Sequence, residues 1–377
     1  MHINRDKTNC CGCSACYSIC PTKAISMQPD ALGFKYPMID VDKCIDCGLC
    51  KKVCQFKSDY DRYEVSDSVV YALRNVDESE LLKSQSGAAF WSIAKVFIQD
   101  GGIVYGVGYG DNYKIIHKRV KALTELEELR GSKYVQSDVG ETFREVVKDL
   151  DSGFKVLYSG TSCQIANLKA YVGAIRRNNL YTIDIICHGV PSPFVWKDFL
   201  SYIETKSKKK ISSVNFRDKS KGWKNCVSSF VFSDKSVLYT KDYSKLFYSN
   251  LALRECCYVC PFTNFRRVSD ITIGDFWGWG KSSNLYNDDK GVSLILVCSN
   301  KGVTLLDSVK SEVYLKKMTK QSCLQKNLQE PTKCNSLRKK FEYEYQKRGF
   351  VFVYKKYIKL NIFEKIIRKI KLLLKIK

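Results

Sequence analysis

Several things are missing from this 377-residue sequence, and each absence removes a class of function. The amino terminus, MHINRDKTNC, has no apolar h-region, so no signal peptide is expected and the chain is placed in the cytoplasm, where thiolates stay reduced. The apolar stretches of the carboxyl-terminal tail are too short and too charged to span a bilayer. Gly106, Gly108 and Gly110 do not spell the dinucleotide fingerprint in the strand-to-helix setting it requires. The formal net charge is +23, yet no recognition module accompanies it and the basic excess gathers at one end, so nucleic acid is not an expected partner. A hydrophobic content of 45% excludes a disordered chain.

Cysteine, in contrast, is abundant and placed with a period. Of 18 cysteines, nine lie between Cys10 and Cys54, which rules against reading the total as a secreted disulfide scaffold. Cys10, Cys13, Cys16 and Cys20, followed by Pro21, repeat their spacing in Cys44, Cys47, Cys50 and Cys54. In this C-x2-C-x2-C-x3-C pattern a tight loop presents three thiolates to one 4Fe-4S cluster and the fourth cysteine leads away to a second cluster. The expected ligation is crossed: Cys10, Cys13, Cys16 and Cys54 on one cluster, Cys44, Cys47, Cys50 and Cys20 on the other. Structural zinc is the rival, but it favours two cysteine pairs split by a longer insert and has no use for this many thiolates. Cys11 falls outside the pattern and reads as a spare thiol.

Residues 58–68 are polar and acidic and read as a linker. A strand over Val69–Leu73 precedes helix over 77–99, interrupted near Ser86-Gly87. Ile103–Val107 and Tyr113–Val120 suit a hairpin. From residue 124 helix and strand alternate, which argues for an α/β domain with at least partly parallel strands. In such sheets the loops leaving the carboxyl ends of strands build the site. Two such loops carry cysteine: Ser159-Gly160-Thr161-Ser162-Cys163-Gln164 and Cys187-His188-Gly189-Val190-Pro191-Ser192. Further on come strand-like segments at 211–217, 226–232 and 236–240, a Cys257/Cys260 pair, and Gly274-Asp275-Phe276-Trp277 after the strand Ile271–Ile273. The expected class is α+β: a small ferredoxin-like two-cluster module, then an α/β domain with a mixed sheet, then a C-terminal amphipathic helix.

That helix is expected in residues 355–377, which carry nine basic side chains against the single acid Glu364. Phe363, Ile366, Ile367, Ile370, Leu373 and Leu374 recur at three- and four-residue steps on one face. Such a helix skims an anionic membrane surface, which would make the chain peripheral at the inner face, docks an acidic partner, or packs back onto its own domain.

Taken from the residues alone, Cys163, Cys187, Cys257 and Cys260 either converge into a third four-thiolate site or are small buried hydrophobes, and Cys226, Cys298, Cys323 and Cys334 belong to the latter group. At this point the motifs carry a resemblance. YSGTSCQIANLK (158–169), ICHGVPSPFVWKDFL (186–200), CYVCPF (257–262) and SDITIGDFWGWG (269–280) together resemble the coenzyme F420 hydrogenase/dehydrogenase β-subunit family, and GSKYVQSD (131–138) and FRDKSKGW (216–223) are similar to further family segments. Two departures stand out: Ser162 takes the place of a common proline, and Gln85–Phe90 is poorer in serine and glycine. The resemblance divides the chain into a two-cluster domain (1–57), the linker, an N-terminal-like family region (69–150), a C-terminal-like catalytic region (151–330) and a basic helical tail (331–377).

The resemblance implies an iron-sulfur flavoprotein that binds FAD, exchanges electrons between a hydride carrier and its clusters, and holds a third 4Fe-4S cluster on Cys163, Cys187, Cys257 and Cys260. An independent argument favours flavin: clusters pass single electrons and organic substrates move two as hydride, so a cofactor able to do both must stand between them. Candidate cofactor-binding residues are Lys133, Ser159, Gly160, Thr161, Arg217, Gly274 and Asp275; Lys133 and Arg217 are cations in glycine-bearing loops, or else solvated surface charges. Candidate catalytic residues are His188, Lys133 and Asp275, with His188 equally readable as an ordinary loop histidine. The expected partner is a redox protein or a small hydride donor or acceptor. The alternatives are a reductase of one organic substrate, including one in surface-polysaccharide metabolism, and a non-catalytic electron-transfer subunit.

Overall fold

The computed structural model describes residues 6–56 and 59–359. Each cysteine run folds as a loop closed by a short helix, Ala15–Ile19 in the first and Leu49–Lys52 in the second. The loops bend alike, because Gly12 and Ser14 in one, and Asp46 and Gly48 in the other, take left-handed φ on either side of the second cysteine. These reversals curl the backbone around the thiols. Glycine adopts them freely, whereas Ser14 and Asp46 each bear a cost of roughly 1–2 kcal/mol. Between the runs lies an antiparallel hairpin, β1 (Ile25–Pro29) and β2 (Lys35–Ile39). At its turn Leu32 and Phe34 are buried against Val195 and Trp196 of the larger domain.

That domain contributes β3 (Val69–Asn75), β4 (Ile103–Tyr109), β5 (Ile115–Val120), β6 (Val156–Thr161) and β7 (Leu180–Ile185). A separate antiparallel sheet follows, made of β8 (Ile211–Asn215), β9 (Ser228–Phe232) and β10 (Val237–Thr240). The chain then returns through β11 (Ile271–Asp275), β12 (Ser293–Val297) and β13 (Val313–Met318). The main sheet has eight strands in the order β13-β3-β12-β11-β7-β6-β4-β5. Its centre, β11-β7-β6-β4, is parallel, and the outer pairs are antiparallel. It is therefore a mixed sheet, and the fold class is α+β with a ferredoxin-like amino-terminal module. The hairpin of β4 and β5 lies where alternation and flanking glycines placed it. Strand β12 has no alternation, since all five residues of Ser-Leu-Ile-Leu-Val are buried between layers, and period-two patterning is silent there.

The parallel centre decides where chemistry can sit. β6, β7 and β11 all point their carboxyl ends to the same edge, delivering Ser162-Cys163, Ile186-Cys187 and Asp275-Phe276 there. The described part of the 58–68 segment is a strap laid along the domain. Tyr60 is buried against Phe262 at 4.5 Å between ring centres, Asp61 pairs with Arg177 at 2.6 Å, and the Tyr63 amide donates to the Arg267 carbonyl at 2.8 Å. Its acidic composition therefore matches basic side chains of the domain.

The helix Arg338–Val353 and the turn after it dock on the domain through Phe341, Phe350, Val353, Tyr354 and Ile358, which join Trp196, Phe199 and Tyr243 in one aromatic-rich core. Lys356, counted with the basic tail, is paired with Glu344 at 2.6 Å. The amphipathic pattern from Phe363 to Leu374 lies outside the described residues. No helix among the described residues is long and apolar enough to cross a membrane.

Candidate functional site

The cysteines gather around three cavities. Cys10, Cys13, Cys16 and Cys54 line the first, together with Cys11 and Asn167. Cys20, Cys44, Cys47 and Cys50 line the second, walled by Ile25, Ile39 and Ile45. The fourth cysteine of each run thus stands in the cavity of the other run. The helix Ala15–Ile19 carries Cys20 away at its end and the helix Leu49–Lys52 carries Cys54 back, so the crossing follows from the helix directions.

The third cavity lies at the carboxyl edge of the parallel strands. Cys163, Cys187, Cys257 and Cys260 line it, and so do Cys11 and Cys256. Cys163 sits in the first turn of the helix Ser162–Val172, which Thr161 and Gln164 cap: the Thr161 amide donates to Gln164 Oε1 at 2.9 Å. The Cys187 and Cys260 thiols are pushed up by burial and by their sulfur neighbours, and Cys163 first by its contact with Cys11 and then by burial. Cys257 alone is lowered, chiefly through its bond with Cys256. Thiols this crowded become thiolates together only if a cationic centre compensates them, the usual effect of metal coordination. Among the described residues no three His, Cys, Asp or Glu side chains are grouped closely enough for one metal ion.

A fourth, larger cavity of about 330 Å³ abuts the third. Thr161, Gln164, Cys187, His188, Gly189 and Val190 line both. Its far wall is the loop from Ser84 to Trp91, and its flanks are Arg130–Val135 and Gly274-Asp275 with Trp277. Three buried polar atoms on this wall, Gln85 Oε1, Trp91 Nε1 and Arg130 Nε, have no hydrogen-bond partner among the described residues. Buried polar groups are normally satisfied, so these three mark a place suited to a polar ligand.

Of the expected cofactor residues, Ser159, Gly160, Thr161, Gly274, Asp275 and Lys133 line this cavity. A Cβ on Gly160 would come 3.0 Å from Gln164 Oε1, and one on Gly274 only 2.8 Å from Ile186, so both glycines allow close packing of the strand ends. Lys133 turns its Nζ back to the carbonyls of Arg130 (2.9 Å) and Glu128 (3.1 Å), and burial lowers its pKa to about 7. Arg217, expected to hold a phosphate or the flavin ring, does not line the cavity. It is buried behind Asp275, with Nη1 2.6 Å from Asp275 Oδ2 and Nη2 donating to the Trp223 carbonyl at 2.8 Å. Burial without the Asp275 carboxylate would leave that guanidinium unpaired, which is the physical reason it faces inward.

Trp223 Nε1 donates to the other Asp275 oxygen at 2.9 Å, so both carboxylate oxygens have partners. His188 lies between the third and fourth cavities, its Nε2 2.7 Å from Asn250 Oδ1 and its Nδ1 3.3 Å from Thr332 Oγ1. Burial lowers its pKa, and both ring nitrogens already face protein oxygens. These contacts suit a residue that shapes the partition between the cavities.

Two site residues escape sequence reasoning: Cys11, read as a spare thiol, and Cys256. The signal was the doublets Cys10-Cys11 and Cys256-Cys257, each of which adds a thiol to the lining of the third cavity beside a pattern cysteine. Also unforeseen are Arg254 and Gln136, both on the wall of the third cavity.

Thiol-lined cavities in an amino-terminal module, joined to a mixed sheet with a further site at its strand ends, define an iron-sulfur protein of the electron-transfer oxidoreductase class. Comparison with known proteins agrees. Residues 9–58 match a 4Fe-4S dicluster domain, and residues 153–322 match the carboxyl-terminal part of the coenzyme F420 hydrogenase/dehydrogenase beta subunit. The chain thus carries a region similar to the carboxyl-terminal part of that beta subunit, with a 4Fe-4S dicluster domain in front of it. It is 36% identical to a ferredoxin of Saccharopolyspora erythraea over 76 residues, which is 20% of this chain and 67% of that one. Among solved structures, a chain of the F420-reducing NiFe hydrogenase complex from Methanosarcina barkeri superposes with a TM-score of 0.45 at 15% identity, covering 68% of this chain and 83% of that chain.

Proposed function

We propose that the chain is an FAD-dependent iron-sulfur oxidoreductase whose flavin occupies the 330 Å³ cavity and whose third 4Fe-4S cluster is held by Cys163, Cys187, Cys257 and Cys260. The observation that carries this reading is the shared wall: one set of residues, from Thr161 to Val190, faces both the six-thiol cavity and the larger one. FAD would supply the exchange between hydride and single electrons that clusters alone cannot perform. The protein's part is to place and insulate. Gly160 and Gly274 keep the floor of the cavity low, Asp275 is held in one orientation by Arg217 and Trp223, and His188 with its two oxygen partners keeps the partition rigid. The unpartnered Gln85 Oε1, Trp91 Nε1 and Arg130 Nε are the groups available to a bound nucleotide.

In the amino-terminal module, the proposed ligands are Cys10, Cys13, Cys16 and Cys54 for one cluster and Cys20, Cys44, Cys47 and Cys50 for the other. Cys47 is exposed, and the cavity it lines shares no lining residue with the third, which makes that cluster the point of electron exchange with a redox partner protein. Protein purified without oxygen is expected to contain FAD and about 12 irons, on the order of four per cluster. Stopped-flow mixing with candidate hydride donors is expected to bleach the flavin. A non-catalytic protein would show no donor-dependent bleaching, and a preparation devoid of flavin would refute the reading.

A further inference from the structure

Cys10 lines the first amino-terminal cavity and its neighbour Cys11 lines both that cavity and the third. Arg254 stands at the same wall. It is fully buried, its Nε donates to the Cys10 carbonyl at 2.7 Å, and its Nη2 lies 3.6 Å from Cys10 Sγ while donating to the Lys35 carbonyl at 2.9 Å. Nη1 donates to Gln136 Oε1 at 2.9 Å, and the guanidinium lies over the Tyr36 ring at 4.1 Å. On its other side it lines the third cavity with Cys256 and Cys257.

Each oxygen acceptor of this guanidinium is neutral. No carboxylate of the described residues pairs with it, although the equally buried Arg267 has Asp184 at 2.7 Å. A buried charge without a counter-charge costs several kcal/mol, so proteins keep one only where something compensates it. The groups close enough to do so here are sulfurs, those of Cys10 on one side and of the third cavity on the other.

We propose that Arg254 sets the reduction potentials of the two clusters that flank it, raising both relative to the outer cluster on Cys20, Cys44, Cys47 and Cys50. The part concerning the third cavity rests on the reading that it holds a cluster. Taking up one electron, supplied by a chemical reductant or a redox partner, adds one negative charge to a cluster site. A fixed cation in a dry wall favours that charged state, and an N–H donor aimed at a cysteinyl sulfur acts in the same direction. The wall of the outer cavity is made of Thr22, Ala24, isoleucines, Leu49 and Asp46, and has no arginine among the described residues. Its cluster is therefore left at the lower potential, and electrons entering from outside run inward.

The test is a potentiometric titration followed by electron paramagnetic resonance on anaerobic, fully loaded protein. Arg254→Gln is expected to lower two of the three one-electron midpoints by a tenfold or larger change in the reduction constant, about 59 mV, and to leave the third in place. Arg254→Lys, which keeps the charge, is expected to hold all three near their native values. Gln136→Glu, which offers the guanidinium a carboxylate, is expected to lower the same two midpoints. Unchanged midpoints in Arg254→Gln, an equal shift of all three clusters, or equal shifts in the Lys and Gln variants would overturn the proposal. If Arg254→Gln fails to retain iron, Gln136→Glu decides by the same criterion. The native iron content separates the two readings: about eight irons removes the third cluster, while the effect of Arg254 on the Cys10 side is still read from the two remaining midpoints.

Discussion

Asp184→Ala should be the most damaging single change at the sheet edge that leaves every cysteine in place. Asp184 and Arg267 are 0% and 2% exposed, with Oδ2 and Nη2 2.7 Å apart. The Thr272 hydroxyl donates to Asp184 Oδ1 at 2.5 Å and accepts from Arg267 Nε at 3.0 Å, and the Ser162 hydroxyl lies 2.7 Å from Nη2. Arg267 Nη1 reaches the Phe262 and Asn264 carbonyls. One guanidinium thereby joins the segments that carry Cys163, Cys187 and Cys260. Removing the carboxylate leaves a buried cation uncompensated, a loss of about 3–5 kcal/mol. At about 2 °C per kcal/mol, the low end for a chain of this size, the apparent melting temperature should fall by roughly 6–10 °C. Calorimetry of the anaerobic loaded protein measures this, and iron analysis of the same sample should show the third site emptied before the amino-terminal pair. A fall of less than about 2 °C, the equivalent of one kcal/mol, with iron unchanged would refute the reasoning.

Cys257→Ser should reduce iron from about 12 to about 8 per chain while both amino-terminal clusters keep their spectroscopic signals, on the order of four irons per cluster. His117 is buried with Nε2 against the Ser159 carbonyl, and burial lowers its pKa to about 4. Between about pH 4 and 6.5 the unfolded chain binds a proton there that the folded chain does not, so stability falls as pH drops, by about 1 kcal/mol from pH 6.5 to 5.5; His117→Gln should flatten that slope in denaturant titrations at the two pH values. Deleting residues 360–377 while keeping the docked helix Arg338–Val353 tests the proposed membrane role of the tail: loss of binding to anionic vesicles is expected, and unchanged vesicle binding would dismiss that role.

The gathering of the cysteines around common cavities was legible because they recur at fixed spacing. The eight cysteines of the amino-terminal runs declare themselves by period, and Cys163, Cys187, Cys257 and Cys260 by their places at strand ends or in a C-x2-C pair. The hairpin of β4 and β5 was equally open to pattern, with flanking glycines and a half-buried face. What escaped depends on tertiary neighbours. Arg217 looked like a ligand cation because its loop contains glycine, but only the folded sheet brings Asp275 beside it. β12 is buried on both faces and so shows no period, and the strap at Tyr60 looked polar because its Asp61 meets Lys169 and Arg177 only in the fold. Arg254 had no pattern at all, since what distinguishes it is the lack of a carboxylate around it.

The bond from Arg254 to the Cys10 carbonyl joins residues 244 positions apart. A ribosome releases the amino-terminal module long before it releases the arginine that closes its wall, and a contact of such sequence separation forms late in folding. The two cysteine runs must therefore wait, reduced and incompletely enclosed, through synthesis of most of the larger domain. In the proposed reading, assembly of the inner clusters can be completed only once residues 254–260 have emerged, and a truncated chain ending before them would be a thiol-rich fragment open to oxidation.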